Sequence, residues 1–205
     1  MVSTASTQAD RVTGLLDEHG TTFAEEAGIT LRDKPAPLYQ LLVLTTLSAT
    51  RISAQIAVAA ARELYTAGWR TPERMRDATW QQRVDALGRG GYRRYDESTS
   101  TALEEAARHL IDEYGGDLRR IRPDCHRDLP RLRDALSAFP RIGPTGADIF
   151  CREVQRVWPE VAPFFDKRAL RGASAYDLPT DPRRLADLAP QGRITEFAAA
   201  LARVA

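Results

Sequence analysis

FPRIGPTGADIF, residues 139–150, sets Pro140, Gly143, Pro144 and Gly146 among side chains that are mostly apolar. A linker is more polar than this. The stretch reads as the end of one buried helix, a tight turn and the start of a second, with apolar residues at helical spacing over 129–138 before it and 147–158 after it. Gly143 is expected to supply a positive φ and let another backbone come close, and Gly146 to begin a helix whose unbonded N–H groups face the turn. Such a turn suits an anion such as phosphate, because N–H dipoles and the helix dipole converge on it.

Outward from the turn, the same periodicity recurs. Leu38, Leu41, Leu42, Leu44 and Leu47 form one helical face, and Ile56, Ala57, Ala60, Ala61 and Leu64 another, with a Ser-capped corner at 48–53 between them. Thr71-Pro72-Glu73 supplies a cap, a first-turn proline and an early acid for a short helix, and 80–87 repeats the pattern. After the turn Gly88-Arg89-Gly90-Gly91-Tyr92, residues 98–114 carry Leu103, Ala106, Leu110, Ile111 and Tyr114 on one face until Gly115-Gly116 stops them. Further helices are expected at 166–175 and 194–204, and a loosely attached one at 12–27. No segment alternates apolar and polar residues as a strand does, so the expected class is all-α.

A chain of 205 residues, 43% hydrophobic and 28% charged, lies in the range of globular proteins. Its two cysteines, Cys125 and Cys151, make neither a secreted disulfide framework nor a four-thiolate metal site. Cys125 with His126 offers two metal ligands, short of a zinc site. The first residues lack the charged-then-apolar pattern of a signal peptide, and no apolar run nears the roughly 20 residues of a membrane span. A cytoplasmic location without membrane contact is expected. The net charge of +1 says nothing about partners, but of the 29 basic residues only Lys34 and Lys167 are lysines.

The order Phe-Pro-Arg-Ile-Gly-Pro-Thr-Gly-Ala resembles the hairpin of the helix-hairpin-helix/Gly-Pro-Asp superfamily of base-excision DNA glycosylases, the endonuclease III type, usually written Leu-Pro-Gly-Val-Gly-x-x-Thr-Ala. PLYQLLVLTTLSATRISAQIAVAAARELY is similar to that family's early helix pair, and TPERMRDATWQQRVDALGRGGYRRY to its next two helices and Gly-Tyr turn. VAPFFDKRALR is similar to the apolar run, aspartate and helix that supply the family's carboxylate. Asp166 comes twenty residues after Gly146. Roughly residues 36–178 follow the family's order of parts.

The resemblance implies a two-lobed all-α fold, with one lobe at 36–128 and the other formed by 1–35 plus 129–205. It implies a base-excision repair enzyme that hydrolyses the N-glycosidic bond of a damaged or mismatched base flipped from duplex DNA, acting as a monomer associated with the nucleoid. A degenerate hairpin protein that binds DNA structure without turnover is the alternative. Arg141, Ile142, Gly143, Pro144, Thr145 and Gly146 fall at the phosphate-gripping hairpin, and Thr50 and Arg51 at the corner that in the family often supplies a DNA-filling glutamine. Tyr92 and Tyr95 fall at the pocket-lining turn. The carbonyls of Ser137, Phe139 and Ile142 are those that would hold a sodium or potassium ion.

Asp166 is the expected catalytic carboxylate, since cleavage leaves positive charge on the sugar and a buried carboxylate stabilises it or orients a water. Its apolar approach, Val161-Ala162-Pro163-Phe164-Phe165, strengthens that interaction. It also suits the N-cap of the following helix. Bifunctional family members attack the sugar with a hairpin lysine; here that position is Thr145, and the nearest amine in sequence is Lys167, beside Asp166. A monofunctional glycosylase is therefore expected, with Lys167 as the minor candidate nucleophile. No cysteine follows Cys151, so the family's iron–sulfur cluster is not expected. The first hairpin glycine is replaced by Arg141. Arg119, Arg120, Arg122, Arg127, Arg131, Arg133 and Arg141 outnumber Asp124, Asp128 and Asp134 before the hairpin, as a phosphate-tracking surface would.

Overall fold

Capping side chains and prolines set most of the helix starts. In the computed structural model, which describes residues 7–125 and 128–205, Thr7 begins α1 (Gln8–His19) through a reciprocal capping box with Asp10. α2 (Phe23–Glu26) is one turn long. α3 (Pro35–Ser48) opens on proline, α4 (Ala54–Thr66) on the Ser53 hydroxyl, α5 (Pro72–Asp77) on Thr71 and Pro72, and α6 (Trp80–Arg89) on a Thr79–Gln82 capping box. α7 (Asp96–Tyr114) stops where Gly115 turns left-handed. α8 (Ile121–Cys125) follows a short 3-10 turn, and Asp128 caps α9 (Leu129–Ser137). α10 (Pro144–Val154) opens on proline, Asp166 caps α11 (Lys167–Ala175), and Asp181 caps α12 (Pro182–Ala186). α13 (Ile194–Arg203) is the last helix. Among the described residues there is no strand, and no helix is long and apolar enough to cross a membrane.

The larger of two compact units runs from Phe23 to Cys151. Its centre is α3, whose Leu38, Tyr39, Leu41, Leu42, Val43, Leu44 and Leu47 are all buried. A helix apolar on every side needs neighbours all round. Around it, Arg83 of α6, 0% exposed, binds three helices of the unit together. Its guanidinium donates to the carbonyls of Met75 (3.0 Å), Ala78 (2.6 Å) and Ser100 (3.0 Å) and pairs with Glu104, which joins α5, α6 and α7. Nothing in the sequence around Arg83 separates it from the exposed arginines.

The second unit joins the described residues up to Thr22 with Arg152–Ala205. Val12, Leu15 and Leu16 of α1 pack with Ala169 and Ala173 of α11 and with Phe197, Ala198 and Leu201 of α13. Gly172 permits the closest approach, since a Cβ there would stand 1.9 Å from the Leu201 carbonyl oxygen.

One expectation is corrected. Residues 12–27 are not one loose helix: Gly20 ends α1, α2 is a separate turn, and Val12, Leu15 and Leu16 lie in a core. The two compact units meet in sequence at Thr22/Phe23 and Cys151/Arg152, within α10, where the resemblance implied lobes bounded near 36 and 128. The hairpin thus belongs with the central helices. Phe139 packs edge-on against His109 at 4.7 Å and stacks with Tyr114 at 6.2 Å, and Arg141 reaches Ser98, so the hairpin's own contacts hold it to α7.

Candidate functional site

The turn between α9 and α10 is wound differently from the expectation. The left-handed residue is Arg141, at φ 63°, and not Gly143. A side chain in that region costs on the order of 1–3 kcal/mol unless its surroundings hold it there. Here they do, because Arg141 Nη1 donates to Ser98 Oγ at 2.7 Å and Thr99 Oγ1 at 3.3 Å. Gly143 has a different use: a Cβ there would meet nothing within 4 Å, so the glycine keeps an open face bare. Gly146 faces inward, where a Cβ would lie 3.1 Å from Ile142 Cγ2 and 3.2 Å from Ala49 Cβ. Ile142 is buried beneath the turn.

The N–H of Ile142 is bonded to the Phe139 carbonyl (3.0 Å) and that of Ala147 to the Gly143 carbonyl (3.0 Å). The N–H groups of Gly143, Thr145 and Gly146 bond to none of the described residues. Three donors at the start of a helix, on a turn bearing exposed Gly143, Pro144 and Thr145, are of the kind that can receive an anion. The carbonyls of Ser137, Phe139 and Ile142 are neutral oxygen donors of the kind alkali cations accept, and the Phe139 oxygen already receives one hydrogen bond. No group of three or more His, Cys, Asp or Glu residues suited to a metal occurs among the described residues. His126 and Arg127 lie outside the described residues.

Two loops adjoin the hairpin. The Thr50 and Tyr92 hydroxyls share a hydrogen bond of 2.8 Å, and both lie against the Leu47 carbonyl, at 3.0 and 3.3 Å. Tyr92 is 0% exposed, so it ties the 48–53 corner to the 88–95 turn and presents no free ring face. The residue expected at a pocket-lining turn thus has a buried ring and a hydroxyl already bonded. Tyr95 is half-buried, with the Arg94 guanidinium 5.2 Å and the Arg141 guanidinium 5.8 Å from its ring centre. Arg51 is exposed.

The basic surface expected before the hairpin is largely neutralised. Arg119 pairs with Asp117 (2.7 Å), Arg122 with Asp33 (2.9 Å), Arg131 with Asp128 (3.7 Å) and Arg133 with Asp148 (2.6 Å). Three of these acids, Asp117, Asp33 and Asp148, lie outside the arginine-rich segment's own run of aspartates.

Asp166 lies in the smaller unit, in the company of residues that no sequence motif singles out. Its Oδ1 accepts the Ala169 N–H at 2.7 Å, as an N-cap, and its Oδ2 accepts Arg152 Nη1 at 2.5 Å. Asp166 and Arg152 side chains are 7% and 5% exposed. Arg152 Nε also donates to Glu153 Oε1 at 3.3 Å. Gln155 fixes the approach to the aspartate: its Oε1 accepts the Phe164 N–H (3.0 Å), and its Nε2 donates to the carbonyls of Phe164 (3.0 Å) and Arg152 (3.1 Å). The surroundings are therefore part apolar, with Phe165 packed edge-on to Phe197 at 5.9 Å, and part ionic. A carboxylate has about four acceptor positions, and the Ala169 and Arg152 bonds fill two of them. The available signal was Arg152-Glu153-Val154-Gln155, a charged and polar run within an apolar helix. Lys167 and Thr145 are both exposed, Lys167 on the first turn of α11 and Thr145 on that of α10.

No protein-family model and no curated protein matches the chain. Among solved structures, a trapped endonuclease III–DNA covalent intermediate, an estranged-adenine complex, matches it with a TM-score of 0.57 at 16% identity, over 94% of this chain and 80% of that one. At that identity the likeness is one of fold. The chain has the all-helical fold of endonuclease III.

Proposed function

We propose that this chain binds duplex DNA through the α9–α10 hairpin and acts as a monofunctional base-excision DNA glycosylase. The observation that carries the reading is the set of uncommitted N–H groups at Gly143, Thr145 and Gly146, on an exposed turn, in a chain whose fold is shared with a protein solved on DNA. Backbone amides at a helix start fix a phosphate without reading sequence. A sodium or potassium ion at the carbonyls of Ser137, Phe139 and Ile142 would add positive charge at the same turn. The target base leaves the stack, at a cost of a few kcal/mol, which is least at damaged or mismatched pairs.

Asp166 supplies the carboxylate. Its Ala169 and Arg152 contacts orient it, and its remaining lone pairs face the developing charge on the sugar or a water. The reaction is hydrolytic because Thr145 carries no amine, and Lys167, though adjacent in sequence, is exposed while Asp166 is buried. Borohydride trapping on abasic DNA is expected to give no adduct; a covalent adduct at Lys167 overturns the monofunctional assignment.

Arg152 favours a second reading, a DNA-structure-binding protein without turnover. A guanidinium 2.5 Å from Asp166 Oδ2 offsets the negative charge that the chemistry needs. The two separate on a panel of duplexes containing uracil, oxidised pyrimidines, oxidised guanine, alkylated purines or mismatches. Excision of any of these by the intact protein, abolished in Asp166→Asn with DNA binding retained, supports the enzyme. Because Asp166→Asn leaves a buried guanidinium facing a neutral amide, a thermal melt of Asp166→Asn is read beside the assay, so that lost excision is told from lost fold. Binding with no excision on the whole panel supports the second reading, and no binding to intact, damaged or abasic duplex removes both.

A further inference from the structure

The sequence concentrates arginine at 119–133, yet Arg119, Arg122, Arg131 and Arg133 are paired with acids, while arginines that the sequence scatters are brought together unpaired. Arg51, Arg93, Arg94 and Arg141 are exposed, and among the described residues no carboxylate stands within ion-pair distance of any of them. They lie on three loops that the Thr50–Tyr92 hydrogen bond, the Gly146–Ala49 packing and the Arg141–Ser98 contact hold together. Two of them converge on one ring, with Arg94 and Arg141 at 5.2 and 5.8 Å from Tyr95. Asp96 and Glu97, next along the chain, do not relieve that convergence, and instead occupy the first turn of α7, where Asp96 Oδ1 accepts the Glu97 N–H at 2.8 Å.

Like charges gathered on a ring without a counter-ion call for an anion. The backbone supports the same conclusion, because the turn holds an arginine in a left-handed conformation that glycine adopts freely. We propose that Arg94, Tyr95 and Arg141 form a second phosphodiester site, beside the hairpin amides, that takes a further backbone phosphate of the same duplex. Tyr95 is its floor: the ring holds both guanidiniums in place by cation–π attraction, and the N–H groups of Arg94, with those of Arg141 that Ser98 and Thr99 do not engage, are available to the two non-bridging oxygens of a phosphodiester. This inference rests on the DNA-binding reading and deepens it, since it assigns the ionic part of the affinity to these two arginines and not to the arginine-rich segment.

The test is the salt dependence of binding to an undamaged duplex, measured for the full chain. Removing an arginine that neutralises one phosphate lowers the slope of log K against log salt by about 0.9. Arg94→Gln and Arg141→Gly are each expected to lower it by that amount, and the double variant by about 1.8. Arg131→Gln, which removes an arginine already paired with Asp128, is expected to leave it unchanged. Arg141→Gly relieves the left-handed position and removes the Ser98 and Thr99 hydrogen bonds, so a thermal melt close to the parent's is the check that the hairpin stays folded. Wild-type binding with unchanged slopes in Arg94→Gln and Arg141→Gly overturns this site and leaves the hairpin reading standing. Equal decreases in Arg131→Gln and Arg94→Gln overturn it as well, since the effect is then one of net charge. Failure of the wild type to bind any duplex removes the DNA reading itself.

Discussion

Arg152 and Asp166 are each buried and each charged, so either is costly without the other. Arg152→Leu is expected to destabilise the protein by about 3–5 kcal/mol, because it strands a buried carboxylate. A denaturant titration measures it, and a change under about 1 kcal/mol, the worth of an ordinary surface pair, contradicts the pairing. Tyr92 invites a different experiment. With its hydroxyl bonded to Thr50 and its ring fully buried, Tyr92→Phe is expected to cost about 1 kcal/mol of stability and leave DNA affinity unchanged. A residue that stacks on an extruded base shows the reverse pattern. Both residues are plain letters in the sequence; what they do depends on partners brought by folding.

Among the elements, glycines separate packing from binding. At Gly172 in α11 an added Cβ would stand 1.9 Å from a backbone oxygen of α13, which cannot swing aside. Gly172→Ala is therefore expected to cost more than about 3 kcal/mol, or to prevent folding, as read from thermal melts. Gly143 at the hairpin is the opposite case, with φ outside the left-handed region and open space around the missing Cβ. Gly143→Ala is expected to leave stability within about 0.5 kcal/mol and, on the proposed function, to weaken DNA binding, because the new methyl would occupy the face assigned there to a phosphate. Unaltered affinity in that variant would remove the hairpin from the interface.

For the whole molecule, acid is the revealing perturbation. The hydrogen bond from Arg108, with that from Arg83, holds the Glu104 carboxyl below the usual carboxylate range, and the hydrogen bond from Arg119 does the same for Asp117. A depressed carboxylate contributes stability that is complete above its unfolded value and is lost as pH falls through its folded value. The melting temperature is expected to hold from pH 7 to about 5 and to fall below about pH 4, where unfolded carboxylates take up protons first. Glu104→Gln is expected to flatten part of that fall. A melting temperature that rises on acidification contradicts the assignment.

The hairpin, the Thr71 and Asp166 caps, the Gly115-Gly116 stop and the all-helical class were legible from the sequence alone. Each is encoded within a few residues, by apolar period, a side chain that reaches the next turn's N–H, or a residue free of Cβ. Tertiary structure alone decided that Arg141, and not Gly143, turns left-handed, since its support comes from Ser98 and Thr99, 43 and 42 residues away. It alone set Arg152 against Asp166, Tyr92 against Thr50, Asp33 against Arg122 and Asp148 against Arg133. Charge and hydrogen bonding act over a few ångströms, and once the chain folds those neighbours bear no fixed relation to order along it.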